Sequence, residues 1–449
     1  MTYSNPITLS KRTRILFLAW GYSIHAKRRI EIFVDDPRFE VMVVSTFNYN
    51  FRNAINVLLV SGGGTQTEST ISASLKDQIS EKPKGWDLWK KMKREMLRFL
   101  KKLILAFTAS PSLEVVRNKI FRAANSVLRF GLMIQDLKLL KLAMKQFCPD
   151  AVFLQTLLYP SYLSYFLPRL IPIIITFWNG DVIWWAKWNG IEKLLKKWIV
   201  TYGVKRAGLI TVNSQKAFDA CLGYRTNKEK IKIVRYPGVD LSRFRPMPMV
   251  EARQKIGIDW QKVVFCPRGI GGHFNSKMIV EAAPAVIKSY PKTLFIFAGV
   301  TGEEDLIEHQ ERVRRLGIEK NILWKGIIPW EEMPIYYSCS DVMVSISSND
   351  SLPNCMLEAM ACHIPVIMGD IPQIREWLQD GFNGLLVSPH DPDVLSDRIL
   401  RIFENNDSMI HRFNERNQER ISREADSLKN KEVIKELVLQ FTRNRFPNV

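Results

Sequence analysis

The stretch richest in chemically useful side chains is Ser345–Met368. An apolar run there gives way to Ser-Ser-Asn-Asp350-Ser-Leu-Pro, then to Asn-Cys-Met-Leu-Glu358-Ala-Met-Ala, then to Pro365-Val-Ile-Met368. The pattern predicts a buried strand, a polar loop, a helix carrying a carboxylate in its first turns, and a second buried strand. In an open α/β sheet, ligands bind outside the carboxyl ends of the strands. A helix N-terminus at that edge presents unpaired N–H groups suited to an anionic or hydroxyl-rich ligand. Asp350 on the loop and Glu358 on the helix are eight positions apart. They are spaced to address two parts of one extended ligand. A third carboxylate, Asp181, follows Thr176-Phe-Trp178-Asn-Gly at the end of another predicted strand. It suits holding a substrate hydroxyl or assisting its deprotonation, and equally suits capping the next helix.

These groups need a scaffold. Arg14–Ala19 predicts a buried strand, followed by a turn through Gly21, a helix from about His25 to Phe33, and a strand Phe39–Ser45. That is a unit of the Rossmann type, although it lacks the full G-x-G-x-x-G fingerprint. Further strands are predicted at Ala151–Gln155, Pro172–Thr176, Ala207–Val212 and Ile231–Val234. Tyr236–Pro246 is dense in turn residues and reads as a linker. A second series runs through strands Val263–Cys266, Thr293–Ala298, Ile322–Lys325, Val342–Ile346 and Pro365–Met368. Helices are predicted between them at Ser276–Tyr290, Asp305–Leu316, Glu331–Tyr337 and Cys355–Ala361, and charged helices from about Asp393. Such alternation implies parallel sheets covered by helices, and 449 residues exceed one ordinary core. The expectation is an α/β protein of two Rossmann-like, doubly wound parallel-sheet domains facing across a cleft. Residues 1–240 would form the first domain and 241–425 the second, with 426–449 a helix returning to the first.

The net charge of +19 favours polyanions, anionic lipid or phosphorylated substrates without choosing among them. Residues 86–107, within an insertion at about 83–130, place Leu88, Met92, Met96, Phe99, Leu100 and Leu103 at helical spacing among seven lysines and arginines. This basic amphipathic helix either packs on the domain surface or lies on a membrane. No apolar run is long enough to predict a membrane-spanning helix. The short apolar run near the N-terminus reads as a strand rather than a signal peptide. The six cysteines are scattered without a C-x-x-C pair, so a reducing compartment is expected and a disulfide framework or zinc site is not. The expected location is cytoplasmic, with peripheral attachment to the membrane face as an extension.

Here the residues carry a family resemblance. The stretch from Asp350 to Ile367 resembles the signature of retaining glycosyltransferases of the GT-B fold, family 4: an acidic residue, seven spacers, then Glu in the context L-E-A-M-A-x-G-x-P-V-I. Leu357-Glu358-Ala359-Met360-Ala361 and Pro365-Val366-Ile367 match it, and Asp380-Gly-Phe-Asn383-Gly-Leu-Leu-Val387 resembles the downstream continuation. Tyr236-Pro-Gly-Val-Asp240 with Phe244 resembles the interdomain segment, and Arg268 the arginine after the first strand of the second domain. The resemblance implies a nucleoside-diphosphate sugar as donor, with neither metal nor other cofactor. It implies that Glu358 bonds the donor ribose and that Asp350, with backbone amides near Ser351, Leu352 and Pro353, faces the sugar. Arg268 would meet the diphosphate, and Gly21 would let backbone approach it. Apart from the resemblance, the Gly326-Ile327-Ile328 loop is a candidate contact for the base. His25, Trp178 and Asp181 would lie on the acceptor side. The acceptor would be a glycan or lipid-linked molecule, with an anionic membrane surface as a further partner and nucleic acid not expected.

Three positions depart from that pattern. Asp350 stands where Glu is commoner. His273 stands where a diphosphate lysine is expected, with Lys277 a poor substitute, and His363 replaces a glycine. Residue by residue, blander roles exist: Arg268 pairing with a nearby carboxylate, Glu358 as an exposed helix residue, His25 as a cap or core residue. Trp178, Trp184, Trp185 and Trp188 serve for stacking on sugars or for packing on the sheet or a bilayer interface. Against transfer of a sugar stand two alternatives, a GT-B nucleotide-sugar epimerase and a degenerate, non-catalytic membrane- or polyanion-binding protein.

Overall fold

The structure is a computed structural model, and it describes residues 12–20, 23–59, 61, 132–158, 160–178, 182, 189–299, 302–350, 352–404 and 408–443. The predicted helix at 86–107, the insertion around it, and Gly21, Asp181, Trp184, Trp185, Trp188 and Ser351 lie outside the described residues.

Thirteen strands form two sheets among the described residues. The first comprises β1 (Thr13–Ala19), β2 (Phe39–Ser45), β3 (Ile55–Leu58), β4 (Ala151–Leu154), β5 (Ile173–Thr176), β6 (Leu209–Val212) and β7 (Ile231–Ile233), in the order β3-β2-β1-β4-β5-β6-β7. The second comprises β8 (Lys262–Cys266), β9 (Thr293–Ala298), β10 (Ile322–Gly326), β11 (Val342–Ser345), β12 (Val366–Gly369) and β13 (Leu385–Val387), in the order β10-β9-β8-β11-β12-β13. The described pairings are parallel, with Ile15 opposite Val41 and Ala151 in the first sheet and Val264 opposite Phe295 and Val342 in the second. Strands such as Thr293–Ala298 and Val342–Ser345 are buried along their whole length. That is why they read as continuous apolar runs rather than alternating ones.

Both sheets grow outward from a central pair, β1–β4 in the first and β8–β11 in the second. There the connections turn to opposite sides, which opens a crevice at the carboxyl edge. The register of the second central pair is fixed at its other end by Asp341. Its Oδ2 accepts from the Val263 N–H at 2.7 Å and from Arg253 Nη2 at 2.8 Å, and Lys262 Nζ lies 3.4 Å from Oδ1. Helices close both faces of the second sheet. Helix Ser276–Ser289 packs beside Pro392–Glu404, and helix Asn354–Ala361 beside Ser408–Glu424.

The structure adds two strands that the sequence reading missed, β3 and β13. It also shows Tyr236–Asp240 to be held in place. Val239 bridges to Asp426, and its N–H donates to Ala425 O at 2.8 Å. Gly238 sits at φ +69°, and a Cβ there would overlap the Ala425 carbonyl, so the segment requires glycine. By contacts the chain groups into two compact units. One is drawn from Met1–Thr176, Leu194–Ile210 and Leu439–Val449, the other from Phe177–Lys193 and Thr211–Val438. Among the described residues no helix is long and apolar enough to cross a membrane.

Candidate functional site

The second sheet gathers its chemistry at the carboxyl edge of β8 and β11, the switch point of that sheet. β8 ends at Cys266, and Arg268 follows two residues later. β11 ends at Ser345, and its loop carries Asp350 before helix Asn354–Ala361 starts behind Pro353. These loops converge: Arg268 Nη2 lies 3.1 Å from Asp350 Oδ2. The guanidinium also sits over the Phe274 ring at 4.6 Å, and its Nη1 lies 3.9 Å from Cys355 Sγ. A flat cation held on an aromatic face and pinned at one edge keeps its remaining N–H groups in a fixed plane. Burial works against its charge, and the Cys355 and Asp350 neighbours overcome that, raising its pKa further.

Glu358 lies one turn into the helix and is only 9% exposed. Its Oε2 accepts a hydrogen bond from Tyr337 Oη at 2.9 Å. The tyrosine comes from helix Met333–Ser338 and is fully buried, with its ring edge-on to Phe265 at 5.3 Å. Burial, then the Glu358 charge, push the Tyr337 hydroxyl well above its ordinary pKa, so it remains a donor at neutral pH. Burial likewise pushes the Cys355 thiol up to about 11, which makes it a neutral neighbour rather than a nucleophile.

Backbone close packing shapes the floor. The loops after β8 and β9 approach so tightly that a Cβ on Gly299, at φ +112°, would come within 2.6 Å of Gly269 N. The Gly299 N–H in turn donates to Gly326 O at 2.8 Å, tying in the carboxyl end of β10. The glycine segment after Arg268 is tied down by side chains. The Gly271 N–H donates to Ser276 Oγ at 3.1 Å, and Ser276 Oγ lies 3.0 Å from His309 Nε2. His309 Nδ1 lies 2.7 Å from Asp305 O, a geometry that suits a neutral ring with its proton on Nδ1. Burial lowers the His309 pKa in keeping with that state.

The stretch containing these groups matches a known family. Residues 250–420 match the model of the glycosyl transferases group 1. This stretch is thus similar to that family. A D-inositol 3-phosphate glycosyltransferase of Corynebacterium urealyticum is 28% identical over 46% of this chain and 51% of its own length. A GDP-mannose-dependent alpha-(1-6)-phosphatidylinositol monomannoside mannosyltransferase of Mycolicibacterium smegmatis is 28% identical over 36% of this chain and 44% of its own. The chain thus spans about half the length of the curated relatives it matches. Among solved structures, Anabaena HepE in complex with UDP aligns at TM-score 0.65 and 17% identity, covering 95% of this chain and all of that one. A sucrose-phosphate synthase of Thermosynechococcus elongatus aligns at TM-score 0.67 and 14% identity, covering 96% and 99%. Those two likenesses concern the fold, the two-sheet GT-B architecture expected from the sequence.

The residues expected from sequence fall into two sets, one at each sheet. Arg268 and Asp350 are brought together, so the ion pair considered for the arginine exists inside the cluster itself. Leu352 and Pro353 are buried, and Pro353 precedes the helix bearing Glu358. Ile327 follows Gly326 on an exposed loop. Lys277 pairs with Glu308 at 2.6 Å, on the first turn of the next helix, and so does not replace the expected lysine. In the first sheet, His25 is exposed in the first turn of helix Ile24–Val34, and Trp178 stands half-buried two residues beyond β5. Tyr337, Cys355 and Phe274 were not anticipated. Each reads locally as a core residue, and only the tertiary arrangement brings it to a charged partner. Among the described residues no group of three or more His, Cys, Asp or Glu side chains is arranged to hold a metal ion.

Proposed function

We propose that the protein is a retaining glycosyltransferase that moves a sugar from a nucleoside-diphosphate sugar to a hydroxyl of a lipid-linked or polysaccharide-precursor acceptor, at the cytoplasmic face of a membrane. The observation that carries this reading is the Glu358 carboxylate, buried and oriented by Tyr337 next to the Arg268–Asp350 pair at the switch point of the second sheet. A carboxylate so placed suits the two hydroxyls of a ribose. Arg268, held flat by Phe274, suits a diphosphate and the charge that grows on it as the bond to the sugar C1 breaks. Asp350 faces the sugar. The acceptor hydroxyl attacks C1 from the face the diphosphate leaves, its proton passes to the departing diphosphate oxygen, and the products are the glycoside and the nucleoside diphosphate. Gly21, His25, Trp178 and Asp181 serve the first-domain side of the reaction, and the scheme uses no metal. The UDP in the HepE structure and the phosphatidylinositol mannoside named for the mannosyltransferase relative support these choices of donor and acceptor class.

The test is a thermal-shift screen across nucleoside diphosphates, since a ligand of the folded state raises its apparent stability. It is followed by turnover assays on Glu358→Ala. One diphosphate is expected to raise the midpoint, and its release from the sugar donor is expected to require acceptor and to disappear in the variant. Full activity in Glu358→Ala refutes the assignment. Release independent of acceptor favours hydrolysis or epimerisation.

A further inference from the structure

The first compact unit carries a surface that the reaction above does not use. A concavity of about 820 Å³ opens beside the segments that lead into β4 and β5, at the amino edge of the first sheet and so opposite its carboxyl edge. Tyr165 and Tyr202 line it, with ring centroids 4.5 Å apart, and Tyr165 Oη donates to Ile199 O at 2.5 Å. Lys141, Lys145 and Arg169 surround these rings, all exposed and none in an ion pair among the described residues. The acidic group among the described lining residues, Asp150, accepts the Arg14 backbone N–H at 2.7 Å.

The aromatic wall continues outward along helix Gly190–Arg206. Trp198 stacks on Tyr202 at 5.9 Å and meets Tyr165 edge-on at 6.1 Å. The same helix buries Lys196, Val200, Gly203 and Val204 against the domain, with Lys196 Nζ donating to Leu157 O at 2.9 Å. Its opposite face presents Leu194, Leu195 and Trp198 to solvent, interspersed with exposed Lys197 and Lys205. Phe166 in the concavity's lining and Leu170 next to Arg169 in sequence are exposed as well. The five large apolar side chains are between 52% and 88% exposed. Single exposed leucines need no explanation, but five large exposed apolar side chains beside an aromatic cluster, together with five cations that form no ion pair among the described residues, do.

We infer that this face, formed by Leu194–Lys205 together with Phe166–Leu170 and the basic concavity, docks on an anionic lipid bilayer. The occupant follows from the composition. Leucine and phenylalanine suit the acyl boundary, and tryptophan and tyrosine suit the headgroup level. Five exposed cations, Lys141, Lys145, Arg169, Lys197 and Lys205, complement an anionic leaflet. A protein partner would leave these cations requiring matched acids, whereas a lipid surface neutralises them wherever they land. The inference uses no donor-site residue and stands whether or not sugar transfer is the activity.

The test is co-sedimentation of the full chain with phosphatidylcholine vesicles, with and without phosphatidylglycerol. Two variants are compared, Leu194→Ser/Leu195→Ser/Trp198→Ser and Lys141→Glu/Lys145→Glu/Arg169→Glu. The wild type is expected in the pellet with phosphatidylglycerol only. The basic-site variant is expected to bind on the order of a hundredfold more weakly, from roughly fivefold per cation lost. The apolar variant is expected to bind at least about tenfold more weakly. Both should keep the wild-type melting temperature and the wild-type thermal response to nucleoside diphosphate, which separates this result from any failure at the donor site. Unchanged pelleting of both folded variants overturns the inference and moves lipid contact to another part of the chain. Equal pelleting with phosphatidylcholine alone overturns it as well. So does a wild-type chain that ignores both vesicles and self-associates through this face, with the dimer lost in the apolar variant.

Discussion

Replacing Tyr337 by Phe isolates the arrangement around Glu358. The change removes one oxygen and leaves the ring, with its edge contacts to Phe265 at 5.3 Å and Phe244 at 6.1 Å, in place. No cavity of consequence opens, so the cost is the buried 2.9 Å hydrogen bond to a carboxylate. Bonds to charged groups contribute about 1.5–3 kcal/mol, and the variant no longer buries a hydroxyl, which offsets part of this. A net loss of about 1–2 kcal/mol corresponds to a fall of about 2–8 °C in the melting temperature of a domain of this size. If the hydroxyl also orients the carboxylate toward a ribose, affinity for the stabilising nucleoside diphosphate falls by roughly five- to tenfold. Calorimetric melting and titration with that diphosphate measure the two effects separately. A lower melting temperature with unchanged affinity makes Tyr337 a structural donor only. Wild-type values of both refute the reasoning.

Asp350→Asn should bind nucleoside diphosphate at least as tightly as the wild type, because Arg268 loses a competing anion 3.1 Å away, while sugar transfer slows. Titration and turnover measured side by side decide it, and parallel loss of both would reduce Asp350 to a folding role. His309→Gln should flatten the acid limb of stability. Burial lowers the folded pKa of His309 below the 6.5 of the open chain, so the unfolded state takes the proton first. Stability is therefore full above 6.5 and is lost as pH falls toward the folded value. Melting temperatures at about pH 8 and about pH 5 should diverge less in the variant than in the wild type. Gly299→Ala should cost about 1–3 kcal/mol, from φ +112° and the Gly269 contact, and denaturant melts showing no loss would disprove that packing. His363→Gly should gain up to about 1 kcal/mol, because His363 sits at φ +61° just past helix Asn354–Ala361, where glycine is unstrained. A melting temperature below wild type would show that the lost imidazole contacts outweigh the relief.

The fold was largely legible because its strands are buried on both faces. Thr-Leu-Phe-Ile-Phe-Ala and Val-Val-Phe-Cys admit few other readings when helical patterns flank them. β3 and β13 escaped because Ile-Asn-Val-Leu and Leu-Leu-Val are too short to carry periodicity, and they lie at the edges of their sheets, where only one neighbour fixes them. The left-handed backbone at His363 was legible in reverse: a family pattern asked for glycine there, and the chain keeps the conformation without it. Arg268, Asp350 and Glu358 stood out because charges are conspicuous in apolar surroundings. Tyr337 did not, because a tyrosine in Met-Pro-Ile-Tyr-Tyr-Ser carries no local mark of its partner, which lies 21 residues further on in a different helix.

The pairing of β8 with β11 also governs when the site comes into being during folding. Asp341 clasps Val263 across a separation of 78 residues, so the strands bearing Arg268 and Asp350 meet only after that long loop closes. Contacts so distant in sequence form slowly, since their entropy must be surrendered before any pairing rewards it. A nascent or partly collapsed C-terminal half therefore lacks the Arg268–Asp350 pairing, and binding at the proposed nucleotide site would report on completion of the whole sheet. By the same logic, a nucleoside diphosphate present during refolding should trap finished molecules and shield them from reopening, a natural safeguard for a long, slowly closing parallel fold.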